Sequence, residues 1–247
     1  MDLTERGKEL RKKVIDLGLE KGDAHLGGSF SEIEILIALF DIVLKEEDKF
    51  ILSKGHACHP LYILLRERGC NPKISGHPDI CETEGLFCTT GSLGHGLPIG
   101  VGMAFARKKL NKEGKIYVLM GDGECQEGTT WESSLIANHH KLDNLVVIVD
   151  YNKIQALDKI EDALSLGDLR KKFESFGWHV SEVDGHNIQE IVEKLREKIA
   201  GKPHIILAHT IKGKGVSYME NDPQWHGRRL TPERVQLAYE ELKSKSC

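Results

Sequence analysis

The sequence lacks the marks of several large protein classes. Its six cysteines include no CxxC pair and no zinc-type spacing. That excludes the usual cysteine metal cluster and argues against a disulfide framework, so free, reduced thiols are expected. Proline is scarce at seven residues and aromatics make up 6%, beside 40% hydrophobic and 29% charged residues, a balance that excludes disordered, collagen-like and coiled-coil chains. There is no excess of basic charge: the formal net charge is -4. A nucleic-acid or membrane partner is therefore not expected, and any anionic ligand must be held by local geometry. The opening MDLTERGKELRKK has no apolar core or small-residue cleavage site, so a cytoplasmic location is the expectation. The longest stretch free of Asp, Glu, Lys and Arg, residues 85–106, carries six glycines, Thr89, Thr90, Ser92, His95 and Pro98. It is too polar and flexible for lipid and reads as a buried loop followed by a close-packed helix.

What is present is an alternation of two periodicities. Apolar residues at helical spacing fill 3–19, 33–44 and 61–67, so the first quarter is expected to be mainly helical. Short β-branched runs at 116–120, 145–150 and 204–208, bounded by Gly, Pro, Asn or Asp, read as buried parallel strands. Helical stretches at 130–140, 166–176 and 188–199 lie between and beside them. The predicted class is α/β, a doubly wound, mainly parallel sheet with helices on both faces. A final amphipathic helix is expected over 231–245, with Thr231 as N-cap and Pro232 in the first turn. No repeat or low-complexity linker interrupts the chain, and residues 1–247 are expected to form a single domain with a helical N-terminal region and a C-terminal helix.

Gly121-Asp122-Gly123 directly follows the strand at 116–120, where ligands of open α/β sheets sit. The glycines admit an anion close to the backbone, and the aspartate can hold a hard cation bridging phosphate oxygens. Alone, such a tripeptide is equally a simple turn. Asn152 lies thirty positions after Asp122, just past the next strand, so one strand-helix-strand unit brings two oxygen ligands to the same sheet edge.

This pattern resembles the thiamin-diphosphate motif, and further blocks narrow the resemblance. Ala24-His25-Leu26-Gly27-Gly28, Leu52-Ser53-Lys54-Gly55-His56-Ala57, Ser75-Gly76-His77-Pro78, Thr89-Thr90-Gly91-Ser92-Leu93-Gly94-His95-Gly96, and His209-Thr210-Ile211-Lys212-Gly213-Lys214-Gly215 with Trp225-His226-Gly227 resemble, in order, the signature blocks of transketolases. They cover nearly the whole chain. The resemblance implies the diphosphate-binding (PP-type) domain of that fold, with thiamin diphosphate as cofactor and Mg2+ (Ca2+ or Mn2+ as substitutes) held by Asp122, Asn152 and the carbonyl of Ile154. It places His56 and His226 at the diphosphate, and His25 and His77 at the sugar, giving His25, His77 and His226 as catalytic residues that hydrogen-bond oxygens or move protons. Gly91, Ser92 and Leu93 belong to the loop whose backbone meets the aminopyrimidine, Gly121 and Gly123 flank the metal ligand, and Lys212 is either an electrostatic partner of bound phosphate or a solvated surface lysine. Glu127, with Glu132, matches acidic residues that transketolases place between two cofactor sites; glutamates in a first helical turn are also favoured by the helix dipole alone. His95 departs from the family, which has glutamine there, and leaves substrate identity open.

The resemblance also implies a missing part. Transketolases press a glutamate against the aminopyrimidine from a second, pyrimidine-binding domain, and no block of that domain occurs in these 247 residues. The expectation is therefore one subunit of a split transketolase, paired with a C-terminal subunit carrying the pyrimidine-binding domain, as an α2β2 heterotetramer. It would transfer a two-carbon ketol group from a ketose phosphate to an aldose phosphate in pentose-phosphate-type carbohydrate metabolism. A related thiamin-diphosphate synthase or 2-oxoacid enzyme and a non-catalytic scaffolding homologue are the alternatives.

Overall fold

The computed structural model describes residues 2–22, 25–156 and 158–244. Five strands, β1 (Lys49–Leu52), β2 (Ile116–Gly121), β3 (Leu145–Tyr151), β4 (His179–Asp184) and β5 (His204–His209), form one sheet in the order β1-β2-β3-β5-β4. Every neighbouring pair is parallel. Successive side chains of a strand point to opposite faces, so Ile116, Val118 and Met120 enter one apolar cluster while Tyr117 and Leu119 enter the other. In β3, Leu145, Val147 and Val149 part from Val146 and Ile148 in the same way. Burial on both faces is why these strands read as continuous apolar runs.

One face is covered by α1 (Leu3–Lys21), α2 (Leu26–Ser31), α3 (Ile33–Ile37), α4 (His59–Glu67), α9 (Ile188–Arg196) and α10 (Pro232–Ser244). The other carries α5 (Gly96–Lys109), α6 (Gly128–His139), α7 (Ile160–Leu164) and α8 (Leu169–Ser175). The glycine-rich stretch is the expected loop and helix: a Cβ at Gly100 would stand 2.5 Å from Val118 Cγ2, so glycine lets α5 lie directly on β2. Chain leaving β3 crosses one face through α7 and α8, whereas β5 is entered from the other through α9. The winding reverses between β3 and β5, which opens a crevice at their carboxyl ends.

Several boundaries differ from expectation. The first quarter also contains β1, a four-residue strand that directly follows the acidic Glu46-Glu47-Asp48 and is too short to show a period. Strand β4 is one of the sheet's two edge strands and alternates with exposed Glu182 and Asp184, so it offers no apolar run. The stretch 33–44 divides into α3 and a π turn over Ala38–Val43. Helix α8 starts late, at Asp168, whose carboxylate caps the Lys171 amide at 3.0 Å, after Gly167 turns the chain at φ +56°. Thr231 Oγ1 lies 3.5 Å from the Arg234 amide at the start of α10. Ala24, Lys245 and Cys247 lie outside the described residues. No disulfide joins Cys58, Cys70, Cys81, Cys88 or Cys125, and no described helix is long and apolar enough to cross a membrane.

Candidate cofactor site at the carboxyl edge of the sheet

Asp122 begins the tight turn after β2 and is 3% exposed. Its Oδ1 accepts from the Gly123 amide at 2.8 Å and its Oδ2 from the Lys153 amide at 2.5 Å, the latter presented by Lys153 at φ +64°. Burial and the nearby charge of Asp150 push the Asp122 carboxyl up to about 7, against the pull of those two amides. Asn152, one residue past β3, donates to Asp150 Oδ2 at 3.1 Å and accepts from the Ile154 amide at 3.0 Å. The carbonyls of Ile154 and Gln155 each accept from Lys212 Nζ at 3.1 Å, so the loops after β2, β3 and β5 meet in one small volume.

Beneath them lies a layer of buried charge. Lys54 Nζ pairs with Asp150, stands 3.2 Å from Glu32 Oε2 and donates to the Gly28 carbonyl at 2.9 Å. Asp150 also accepts from Ser31 Oγ at 2.5 Å and from Thr210 Oγ1. Burial and the Asp150 charge push Glu32 up to about 8, against the pull of Lys54. Glu124 accepts from Ser53 Oγ at 2.5 Å, the Gly94 amide at 2.9 Å and the Gly121 amide at 2.8 Å, locking the β2 turn to the loops before α4 and α5.

Four histidines gather beside these groups. The ring centroids of His56 and His226 are 4.8 Å apart, those of His25 and His226 5.4 Å, and those of His25 and His77 6.4 Å. Burial, reinforced by Lys54 and Lys212, lowers His56 well below the ordinary imidazole value and His226 to about 4. Both are therefore neutral N–H donors near pH 7. Burial and Lys54 likewise lower Lys212 to about 8, and its ammonium stands 3.3 Å from His226 Nδ1. Gly91, at φ +137°, leaves room for His77: a Cβ there would sit 2.8 Å from His77 Cδ2.

These loops enclose a cavity of about 250 Å³, below the roughly 300–1,000 Å³ of complete ligand pockets. Of the residues singled out from the sequence, His25, His56, His77 and His226 line it, as do Gly91, Leu93, Gly121, Asp122, Gly123, Asn152, Ile154 and Lys212. Ser92 and Glu127 do not. Ser92 is exposed with its Oγ 3.3 Å from His95 Nδ1, and Glu127 is exposed at the start of α6. Sequence reasoning missed Lys54, Glu124, Gln155 and Ala156, which also line the cavity; Lys54 lay inside a recognised block. A larger hollow of about 650 Å³ beside Leu3, Ile42 and Val192 lies away from the strand ends.

The residues fit a hard divalent cation. Asp122 is a buried carboxylate that pairs with no basic side chain among the described residues, and two neighbouring backbone carbonyls already face an ammonium. An all-oxygen donor set of this kind suits Mg2+.

Fold and edge together define an α/β protein with a polar, histidine-lined pocket at the switch point of a parallel sheet. Residues 8–245 match the family described as transketolase, thiamine diphosphate binding domain. The chain is 39% identical, over 99% of its length and 97% of the relative's, to an apulose-4-phosphate transketolase subunit of Actinobacillus succinogenes. It is 36% identical, over 100% of its length and 98% of the relative's, to the 6-deoxy-6-sulfo-D-fructose transketolase subunit SqwG of Clostridium sp. (strain MSTE9). Identity to human transketolase is 32% over 98% of this chain, which spans only 43% of that protein. The solved transketolase from Leishmania mexicana superposes with a TM-score of 0.92 at 26% identity, covering all of this chain and 42% of that one. The chain belongs to the transketolase family, in its thiamine diphosphate binding domain.

Proposed function

We propose that the chain is the diphosphate-binding subunit of a two-subunit transketolase, dependent on thiamin diphosphate and Mg2+. The observation that carries this reading is the buried carboxylate of Asp122, placed with Asn152 and the Ile154 carbonyl at the switch point. Asp122, Asn152 Oδ1 and the Ile154 carbonyl would hold Mg2+, while neutral His56 and His226 donate hydrogen bonds to diphosphate oxygens and Lys212 supplies positive charge beside them. When bound, thiamin diphosphate supplies the electron sink for carbon-carbon cleavage. His25 and His77, at the more open end of the histidine group, orient the sugar and hold or move protons at its hydroxyl and carbonyl oxygens.

Relatives of matching length are themselves named as transketolase subunits, which supports a partner subunit that supplies the remaining wall and the carboxylate against the aminopyrimidine. The exposed apolar residues Ile99 on α5 and Leu135 and Ile136 on α6 offer surface for an α2β2 assembly, with Glu132 exposed on the same helix as the latter pair. Relatives of matching length are named for apulose-4-phosphate and 6-deoxy-6-sulfo-D-fructose, both sugars with an anionic group. A ketose donor with an anionic terminus is the substrate class proposed here. Calorimetric titration of thiamin diphosphate into the assembled subunits, with Mg2+ and with EDTA, tests the reading. Metal-dependent binding is expected, and binding indifferent to EDTA would overturn it.

A further inference from the structure

At the opposite, amino-terminal edge of the sheet a second group of donors converges. His179 opens β4, His204 opens β5, and the parallel register pairs them directly, which sets their ring centroids 4.9 Å apart. Glu197, one residue past α9, brings Oε1 to 3.7 Å from His179 Nε2. Ser181, on the same face of β4, places Oγ 2.9 Å from His204 Nε2 and 3.5 Å from His179 Nε2. One ligand atom each from His179, Glu197 and His204 lies within 4.8 Å of the other two. Donors around a tetrahedral ion with bonds of about 2.05 Å stand about 3.3 Å apart, close to the three contacts just given.

The chemistry of the group also favours a ligand. His204 is 2% exposed with Nε2 turned to Ser181 and the rest of the group, and the buried Glu197 Oε2 has no hydrogen-bond partner among the described residues. The side chains of His179 and Glu197 remain about one third exposed, which leaves an entry path. Lys194 Nζ, 3.6 Å from Glu197 Oε2 and itself 35% exposed, is a partly solvated cation that a divalent ion would displace.

We propose that His179, Glu197 and His204, with the Ser181 hydroxyl adjacent, form a site for a borderline divalent transition metal such as zinc. The ion staples the outer strand β4 to β5 and to the turn after α9. Two imidazoles and one carboxylate select zinc, cobalt or nickel over Mg2+, which prefers oxygen, so the site is separate in place and chemistry from the cofactor edge.

The test is titration of the full chain with Co2+ in excess Mg2+, following the visible ligand-field absorption, then a chase with Zn2+. Glu197→Gln and His179→Asn are the variants, because both positions are partly exposed and the fold does not depend on burying them. The expected result is one Co2+ per chain, displaced by Zn2+, with affinity about tenfold or more weaker in each variant and a Zn2+-induced rise in melting temperature lost in both. No ligand-field band, or a band equally strong in both variants and so held by other histidines or thiols, overturns the proposal.

Discussion

In the middle of the sheet, Val118, Val147 and Ile206 are wholly buried and apolar; a few residues along the same strands and their loops, Asp150, Lys54, Asp122 and Glu124 are almost as buried and ionisable. The two regions answer different demands. Each apolar side chain in the middle contributes roughly 1.5–3 kcal/mol by leaving water, and its neighbours need only fill space. Buried charge at the carboxyl edge costs free energy unless paired, and Asp122, raised to about 7 by burial and Asp150, has no basic side-chain partner among the described residues. The middle therefore stabilises the fold, while the edge holds ionisable groups at a cost, and under the proposed function substitutions in the two regions should fail in different ways.

The largest separation is expected from Asp122→Ala. Magnesium-dependent affinity for thiamin diphosphate should fall on the order of a hundredfold or more, with no loss of melting temperature, as calorimetry of the assembled subunits and thermal scanning of the chain would show. Ile148→Ala, wholly buried in β3, should invert that pattern. It should lose about 2–5 kcal/mol of stability in denaturant titrations while cofactor affinity, measured where the protein is folded, stays within about twofold.

Glu34 sharpens the contrast because it is a buried acid that is fully paired. Its carboxylate meets Arg11 Nη1 at 2.7 Å and Nη2 at 2.9 Å, and His186 Nδ1 at 2.9 Å. The Ile211 amide donates to His186 Nε2 at 2.8 Å, which leaves Nδ1 as the ring's donor to Glu34. Burial raises the Glu34 carboxyl, but Arg11 and His186 outweigh it and bring it down to about 2 from an ordinary 4.5. A lowered carboxyl contributes fully above the unfolded-chain value and loses that contribution as pH falls from about 4.5 towards 2, here about 3 kcal/mol. Glu34→Gln should be less stable at pH 7 and should flatten the acid limb of stability against pH. A variant whose acid limb matches the parent would contradict the assignment. The smallest effect is expected from Ser92→Ala, whose side chain is exposed beside His95 and does not line the cavity: affinity for thiamin diphosphate should change by less than about twofold.

The same contrast explains what the sequence disclosed. Strands β2, β3 and β5 were legible because burial on both faces demands uninterrupted apolar runs, whereas β1 is too short and the half-exposed β4 too polar to stand out. At the edge, the chain after β2, β3 and β5 brings Asp122, Asn152 and Lys212 around one cavity, and the segments before α2, after β1 and between α4 and α5 add His25, His56 and His77. Lys54, Glu32 and Asp150 were harder to read: a charged residue in a sequence is normally a solvated one, and only the packed layer beneath the pocket reveals that Lys54 pairs with Asp150 and stands beside Glu32. The pairing of His179 with His204 depends on β4 and β5 being neighbours, and β4 was not legible.

The most direct test of the central proposal is a two-carbon transfer assay from an anionic ketose to an aldose, run with this chain, with a pyrimidine-domain subunit, and with both mixed at rising concentration. Thiamin diphosphate and Mg2+ are saturating throughout. Without the partner's carboxylate at the aminopyrimidine and its wall against water, transfer should be absent. Activity should appear only in the mixture and rise with assembly followed by light scattering. Robust turnover by this chain alone would contradict the account.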